Sequence, residues 1–518
     1  MSGYEFFTSG APKQTQESTW NFQFRKLFTI KTLKDFEVEK ETSGFKRTLS
    51  AFDLIMIGLG GIIGTGILVI TGQAAATKAG PAVVISFIIS GIAASFAALS
   101  YSELSSMIPI SGSAYTFVYA TLGELAAWII GWDLILEYAV GASTIAVGWS
   151  GYLVHFFENT FNVHFSPSWT SAPLLFDHQT GYLERIPGAY INLPALLLII
   201  SITIILTLGI KESATVNNII VGIKTFVIVL FVIVASTKIN PKNYDPFIPP
   251  NEGSFEKFGV TGILSASSVV FFAYIGFDSI STTAQEAKNP QRNLPIGIIS
   301  SLIICTILYV AVCVTLTGVV PYTELDSPAP VAVAINAMGM KWLGTIVDFG
   351  ALVGLISGVL VLLVGQPRIF YSMAKDGLLF PAIAKLHPKF KTPYISTIIT
   401  GAICSTIASL LPIGMLAELT SVGTLLAFFL VNVGVMLLRI TAPNAPRKFK
   451  VPGGPYVIPI IGALLDLLLL YTATPASLER LFIWMAIGLL VYFFYGRFHS
   501  VANHSNHYMK NKELNEGG

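Results

Sequence analysis

Five glycines fall within nine positions, from Gly58 to Gly66, inside an apolar stretch of the chain. Each glycine in a helix interior costs up to about 1 kcal/mol relative to alanine, so the cluster predicts either a helix break or a tight crossing through the Gly60-x-x-x-Gly64 spacing. Unwound backbone at membrane depth is tolerated where it lines a cavity, and there it offers free amides and carbonyls to a ligand. A dinucleotide loop is the poorer interpretation because no strand precedes these glycines.

A second irregularity follows at Phe271 to Ser279, where a glycine, a carboxylate and several hydroxyls interrupt another apolar run. By hydropathy these two stretches belong to the first and sixth helices. Breaks at those positions are what two inverted five-helix repeats produce, with a substrate bound between them at the midplane. The alternative is that glycine and aromatic residues are simply common in membrane helices.

Lys224 lies near the middle of the fifth apolar stretch, far from Lys211 and Lys238 at its ends. Its ammonium cannot easily reach either membrane surface, so it must face a partner or a cavity. We expect it to exchange protons during a transport cycle, or to bridge carbonyls freed by the break at Gly58 to Gly66, and both roles are compatible.

Several carboxylates also fall in or near apolar stretches, where an ionisable residue is a functional candidate. Glu137 could pair with Lys224 or accept protons, and Asp278 could accept them just past the second irregularity. A satisfied structural hydrogen bond is the alternative for each. The complete set is Glu103, Asp133, Glu137, Asp278, Asp348, Glu418 and Asp466.

The elements that position these residues are membrane helices. Of 518 residues, 53% are hydrophobic and 12% are charged, against about 25% charged in an ordinary soluble domain. Apolar stretches of about 20 residues recur, which predicts an all-α polytopic membrane protein, and the alternating pattern of a barrel is absent. No basic block suggests nucleic acid, no signal peptide is expected, and neither metal nor cofactor is predicted for the three isolated cysteines.

Hydropathy predicts twelve spans, and Lys and Arg concentrate in the connections on the side of the termini, which predicts cytoplasmic termini. We expect an N-terminal segment at 1–48, a ten-helix core at 49–440, two peripheral helices at 441–497 and a tail at 498–518. An extracellular hairpin or cap is expected between 158 and 189. The predicted spans are 50–77, 81–107, 124–156, 189–210, 213–238, 258–286, 294–320, 342–373, 394–411, 415–439, 455–473 and 478–497.

Six motifs, in order along nearly the whole membrane region, resemble bacterial members of the cationic amino acid transporter family, within the amino acid, polyamine and organocation superfamily. This resemblance implies the leucine-transporter fold, with helices 1 to 5 and 6 to 10 as inverted repeats and helices 1 and 6 broken. The motifs are Gly60–Ile67, Pro109–Tyr115, Gly131–Tyr138, Phe272–Asp278, Glu286–Arg292 and Arg368–Leu379.

The resemblance also implies a substrate site. The amides of Gly64, Thr65 and Gly66 would bind an amino-acid carboxylate, and the carbonyls of Ile62, Phe272 and Ile275 would bind its amino group, which suits the dipoles of half-helices. The ring of Phe272 would be a gate. The broken segments that form this site also contain Ile63, Ala273 and Tyr274.

In the same family, proton-coupled members place a fifth-helix lysine where sodium-coupled relatives bind an ion, and Lys224 matches that lysine. The resemblance therefore implies proton-coupled amino-acid uptake across the plasma membrane. No acidic residue is clearly aimed at the pocket, so we expect small neutral substrates such as alanine, with arginine or lysine transport and amino-acid exchange left open. A channel or a membrane-embedded enzyme is disfavoured, and the sequence does not indicate the oligomeric state.

Overall fold

The structure is a computed structural model, and it describes residues 27–31, 47–110, 112–176, 183–208, 214–390 and 392–501. Most of the predicted N-terminal segment 1–48 and of the predicted tail 498–518 lies outside the described residues. The described chain is mostly helical. It buries a continuous core of Leu, Ile, Val, Phe and Ala between the helices.

The helices of the first half begin with α1, whose Ser50 and Asp53 form a capping box that satisfies the first free amides of the helix. A second helical run follows α1 after a short interruption, and a turn at Gly80 and Pro81 separates this run from α3. The elements are α1 Ala51–Ile62, α2 at 66–79, α3 Val83–Met107, α4 Ser113–Thr121, α5 Glu124–Phe161, α6 Leu193–Thr207 and α7 Ala214–Ser236.

The second half begins with another interrupted helix and ends with two helices that contribute fewer buried residues. Its elements are α8 Gly259–Val270, α9 Ser279–Thr282, α10 Pro290–Val319, α11 Pro330–Ala337, α12 Lys341–Lys375, α13 Tyr394–Leu410, α14 Ile413–Thr441, α15 Val457–Tyr471 and α16 Pro475–Val491.

Among the described residues, eight helical runs are long and apolar enough to cross a membrane, and four shorter apolar helices accompany them. The short ones are α1, α6, α13 and α15. A membrane protein with several crossings is therefore supported by length and composition. Many large apolar side chains on α6, α7 and α15 are exposed, as expected for helices that contact lipid.

Helix packing brings the interrupted helices to the centre. The long helix α10 lies against both α3 and α1, and α12 lies against α5, α7 and α1. A two-stranded antiparallel hairpin, Leu174–Phe176 with Leu183–Arg185, forms part of the connection for which the sequence predicted a hairpin or cap. The helix α4 is buried along its whole length rather than lying on the protein surface.

Candidate substrate site and buried lysine

The first break follows directly from the glycine cluster. Helix α1 ends at Ile62, Ile63 is extended with φ −72° and ψ 96°, and helical geometry resumes at Thr65 with φ −66° and ψ −17°. The amides of Gly64, Thr65 and Gly66 stand at the start of α2, where the preceding turn of helix that would accept them is absent. Such a position attracts an anion.

The second break separates α8 from α9. A short 3₁₀ turn, Phe271–Tyr274, ends α8, Ile275 is extended with φ −65° and ψ 141°, and Gly276 has φ 118°. Residues other than glycine rarely adopt that φ, so a glycine at position 276 lets the chain change direction here. The helix does not continue past this turn, and the carbonyl of Phe272 accepts the amide of Ile275 at 3.2 Å while keeping a second lone pair for a cation.

The two breaks touch each other through backbone. A Cβ atom on Gly66 would lie 2.3 Å from Cα of Ala273, and a Cβ atom on Gly276 would lie 2.6 Å from the carbonyl carbon of Gly61. No side chain fits at either contact. The glycines therefore serve both as break points and as points of close approach between the broken helices.

Tyr309 on α10 connects the two breaks with one hydroxyl group. Its oxygen lies 2.7 Å from the carbonyl oxygen of Ile62 and 2.9 Å from that of Ala273, and the residue is fully buried. One hydroxyl proton is shared between two acceptors. The carbonyl of Ile62, which is predicted to bind an amino group, keeps its second lone pair for that role.

Lys224 reaches the first break from α7. Its Nζ donates to the carbonyl oxygens of Gly60 at 2.7 Å and Ile63 at 2.9 Å and to Oγ of Ser357 at 3.1 Å, and the residue is 3% exposed. Its stem passes Gly354, where an added Cβ would lie 2.6 Å from Cβ of Lys224. The structure thus shows the carbonyl-bridging role, and the proton-exchange role stays a prediction.

The predicted acidic residues form a separate buried group. Asp278 accepts hydrogen bonds at Oδ2 from the hydroxyls of Tyr138 and Ser113, the latter at 3.2 Å. Glu137 lies beside Asp278, one residue before Tyr138 on α5. The structure therefore brings Glu137 to Asp278 at the second break, whereas Lys224 bonds to the first.

The surroundings of the first break are mostly apolar. Cδ1 of Ile145 on α5 lies 3.5 Å from where a Cβ of Gly64 would stand and 3.1 Å from the same position on Gly358. One helical turn before Ile145, Gly141 faces Leu362 and Thr420. A separate apolar cavity of about 10 Å³, enough for about one water molecule, lies beside Lys224 and Ile63.

Comparisons with known proteins decide the family. The sequence profile described as amino acid permease matches residues 49–495, which include both breaks and Lys224. The chain belongs to the amino acid permease family. This permease is accordingly a multi-pass membrane transporter and not an enzyme.

Two relatives match the permease over almost their full lengths. The branched-chain amino acid permease BcaP of Bacillus subtilis is 44% identical over 483 residues, 92% of this chain and 99% of the relative. The methylthioribose transporter of the same organism is 44% identical over 477 residues, with the same coverage. The vacuolar cationic amino acid transporter 4 of Arabidopsis thaliana is 40% identical over 400 residues, 77% of this chain and 64% of the relative.

Several residues of the candidate site were not expected from the sequence of the permease. Tyr309 and Ser357 sit in long apolar helices, and only their contacts with the breaks distinguish them from other membrane tyrosines and serines. The sequence contained one indication that Tyr138 and Ser113 belong to the site, since both lie in motifs that resemble the transporter family. Their partner Asp278 lies in a third such motif, which links the three residues.

Proposed function

We propose that this protein is a secondary active transporter that moves neutral amino acids by alternating access, with protons as the coupling ion. The observation that carries the proposal is the pair of backbone breaks that touch at Gly66 and Ala273. They bring the start of one half-helix next to the end of another, which offers an anion site and a cation site a few ångströms apart. A zwitterionic amino acid has the matching charges.

The arrangement proposed for the membrane has twelve crossings, ten of them in two inverted five-helix repeats at 49–440. Counting α1 and α2 as one crossing, α8 and α9 as another, and α4 and α11 as none gives this number from the observed helices. The broken crossings are then the first and the sixth. Cytoplasmic termini and a location in the plasma membrane belong to the same proposal.

In the proposed binding mode, the amides of Gly64, Thr65 and Gly66 bind the substrate carboxylate. The carbonyls of Ile62, Phe272 and Ile275 bind the amino group, Ile63, Ala273 and Tyr274 hold these carbonyls in place, and the ring of Phe272 closes the site. Tyr309 orients the Ile62 carbonyl through its hydrogen bond. The backbone thus recognises what all amino acids share, and side chains select among them.

Neutral substrates are favoured by the apolar contacts of Ile145 with the first break. Alanine is the substrate expected from the sequence, and the relative named as a branched-chain amino acid permease supports adding valine, leucine and isoleucine. Burying a charged substrate side chain against these apolar residues, without an opposite charge to pair with it, would cost free energy. We therefore propose small and branched neutral amino acids as the substrate class.

Proton coupling is supported by Lys224, which occupies the space between α1, α7 and α12 with its ammonium on two carbonyls. Loss of the proton would remove the positive charge and one of the three N–H donors of Nζ, which weakens its hold on those carbonyls and loosens the first break. In this proposal protonation of Lys224 stabilises the closed arrangement of α1, and deprotonation lets it move. Glu137 and Asp278 provide a second place to hold a proton, at the other break.

A second candidate function is transport of cationic amino acids. Glu137 is a buried carboxylate on α5, one helical turn before Gly141, which packs against α12 and α14. Its negative charge could receive the positively charged side chain of such a substrate. The cationic amino acid transporter of Arabidopsis thaliana among the relatives points the same way. Exchange of one amino acid for another remains compatible with the same geometry.

The test is uptake of labelled alanine and leucine into proteoliposomes under an inward proton gradient, with unlabelled arginine as competitor. Accumulation that a protonophore abolishes and arginine does not reduce supports the proposal. Strong competition by arginine would favour the cationic alternative. Counterflow without pH-driven accumulation would identify an exchanger instead.

A further inference from the structure

A histidine and an aspartate that the proposed function does not use form a close pair near the end of α5. Nδ1 of His155 lies 2.7 Å from Oδ2 of Asp348 on α12, and the side chain of Asp348 is fully buried while that of His155 is 19% exposed. Oδ1 of Asp348 is buried too and makes no hydrogen bond to the described residues. A carboxylate so enclosed needs a positive partner or a proton of its own.

The short helix α11 covers this pair and also the second half of the first broken helix. Nε2 of His155 lies 3.1 Å from Nδ2 of Asn336 on α11. A Cβ atom on Gly72 of α2 would lie 2.3 Å from Cβ of Pro330, and Val331 lines the small apolar cavity beside the first break. A change at the pair can therefore act on α11 and, through it, on the path to the substrate site.

The pair lies toward the face that the proposed function places outside. Glu124 at the start of α5 accepts a hydrogen bond from Ser500, close to the C-terminal end of the chain, whereas His155 is near the other end of this 38-residue helix. The termini are proposed to be cytoplasmic. Protons that drive uptake would then arrive at the side where His155 is exposed.

The other titratable groups that act on the pair belong to α5. Glu158, one turn further along the helix, faces His155, and the phenol of Tyr152, one turn earlier, faces Asp348. Helix α11 has no charged residue between Pro330 and Ala337. An imidazole commonly changes its charge between pH 5 and 8, which makes His155 the group at this interface that responds most directly to external pH.

We propose that His155 and Asp348 take up an external proton as α11 closes over them, so that acid outside favours the closed outer face. The inference rests on the proposed proton-driven transport and adds an outer proton site to it. With α11 away, water reaches both side chains, and a neutral imidazole can lie beside an ionised carboxylate. With α11 in place, the charge of Asp348 is balanced only by an imidazolium. Proton binding and closure therefore stabilise each other.

Asn336 can hydrogen-bond to either protonation state of His155, because an amide is both a donor and an acceptor. Its Nδ2 donates to Nε2 of the neutral imidazole. After rotation of the amide, its Oδ1 accepts from the N–H of the imidazolium. The bond to the charged ring is the stronger of the two, so protonation tightens the contact between α5 and α11.

The first test measures closure of α11 from outside. Val331→Cys places a reporter at a position of α11 that is 1% exposed, and the native cysteines Cys305, Cys313 and Cys404 are fully buried. A membrane-impermeant maleimide is applied at about pH 5.5 and about pH 7.5, on either side of an ordinary imidazole. The His155→Gln background corrects for the effect of pH on the thiol itself. We expect acid to slow labelling about tenfold more in the native background, which corresponds to one pH unit of linkage.

The chain offers a matched control in a second histidine and carboxylate pair. Nδ1 of His164 lies 2.9 Å from Oε1 of Glu158, but the two side chains are 70% and 40% exposed, so His164→Gln should keep the native pH dependence. Asp348→Asn should abolish it as His155→Gln does, because a buried amide needs no proton. Equal pH dependence in the native and His155→Gln backgrounds would overturn the proposal, and so would its loss in His164→Gln.

A general loss of folding is recognised by native Cys404, which is buried between α13 and α5. It should stay unlabelled in detergent in the His155→Gln and Asp348→Asn variants. Labelling of Cys404 in both variants would show that the pair stabilises the fold as a whole, and the proposal would then be wrong.

A third variant separates this inference from the function on which it rests. The pH dependence of labelling should persist in Lys224→Met, because the proton concerned is not the one on the lysine. Its loss there would overturn the inference. Absence of proton-driven uptake by the native protein would instead overturn the proposed function, whereas labelling of Val331→Cys would still report on α11.

Discussion

The ammonium of Lys224 lies 2.7 Å from the carbonyl oxygen of Gly60, so a cation on α7 holds the end of broken helix α1. The carbonyl oxygen of Ile63, the first residue after α1, lies 2.9 Å from the same ammonium. These carbonyls have lost their helical donors because the chain unwinds here. The lysine thus replaces hydrogen bonds that an unbroken helix would have made.

Replacing this lysine should uncouple transport from protons. In Lys224→Met, we expect pH-dependent accumulation to be abolished while some amino-acid binding remains, because the substrate amides at Gly64 to Gly66 are untouched. Tracer uptake at two external pH values and binding in detergent measure the two properties. Lys238→Met, exposed in the turn just after the same helix, should behave as the native protein, and proton-driven uptake retained in Lys224→Met would refute the coupling role.

Adding one methyl group at the contact between the breaks should stop transport. In Gly66→Ala the new Cβ would lie 2.3 Å from Cα of Ala273, which is backbone and cannot move aside. We expect uptake to fall by at least about tenfold, since a backbone shift at the binding site costs more than about 1.4 kcal/mol. Gly222→Ala, with open space around its Cα, is the matched control.

Loss of one hydroxyl at Tyr309 should weaken substrate binding. In Tyr309→Phe the carbonyls of Ile62 and Ala273 lose a shared donor, and we expect KM to rise about fivefold, as for a lost buried hydrogen bond of about 1 kcal/mol. Initial rates over a range of substrate concentrations give KM and the maximal rate.

The control for Tyr309→Phe is Tyr152→Phe. Its hydroxyl also donates to a carbonyl of the first broken helix, that of Leu68 at 2.9 Å, but Leu68 lies past the break. A similar rise of KM in both variants would show that any buried tyrosine hydroxyl has this effect, and it would remove Tyr309 from the site.

A buried charge network at the end of α3 should contribute to stability rather than to transport. Glu103 accepts hydrogen bonds from Arg439, from Arg447 at 3.2 Å and from the amide of Val451 at 2.8 Å, and it is 1% exposed. Glu103→Gln leaves buried guanidinium groups with a neutral partner, at a cost of about 3 kcal/mol. Thermal unfolding in detergent should show a lower midpoint, and no change relative to Glu184→Gln in the exposed hairpin would contradict this account.

Much of the helical architecture was predictable from the sequence, because local hydropathy indicates where a membrane helix lies and local glycine content indicates where it can break. The sequence left open whether the glycines at 58–66 mark a break or a tight crossing through Gly60 and Gly64. The structure shows the break, and the closest helix contacts in this stretch are made by other glycines than Gly60 and Gly64. The chain unwinds at Ile63 and Gly64, while Gly61 meets Gly276 and an added Cβ on Gly58 would lie 2.5 Å from Oγ of Ser301. Whether a given glycine lies at the break or at a close contact between helices depends on neighbours that are distant in the sequence.

Residues that act through long-range contacts were harder to predict. Tyr309 gains its position from the register of α10 against two other helices, and a periodic apolar sequence does not fix that register. The isolated Lys224 was visible because a charge in the middle of an apolar stretch is rare. Carbonyls of the first break were expected among its partners, but which carbonyls bind it was not predictable, since backbone carbonyls leave no trace in residue identity.

The central claim is that amino-acid movement carries protons with it, and proteoliposomes filled with a pH-sensitive dye test it most directly. Adding alanine or leucine outside, without an imposed gradient, should acidify the interior in native vesicles and leave it unchanged with Lys224→Met. The same result should be obtained in sodium-free buffer. Amino-acid uptake by the native protein without any acidification, or only with sodium present, would contradict the account.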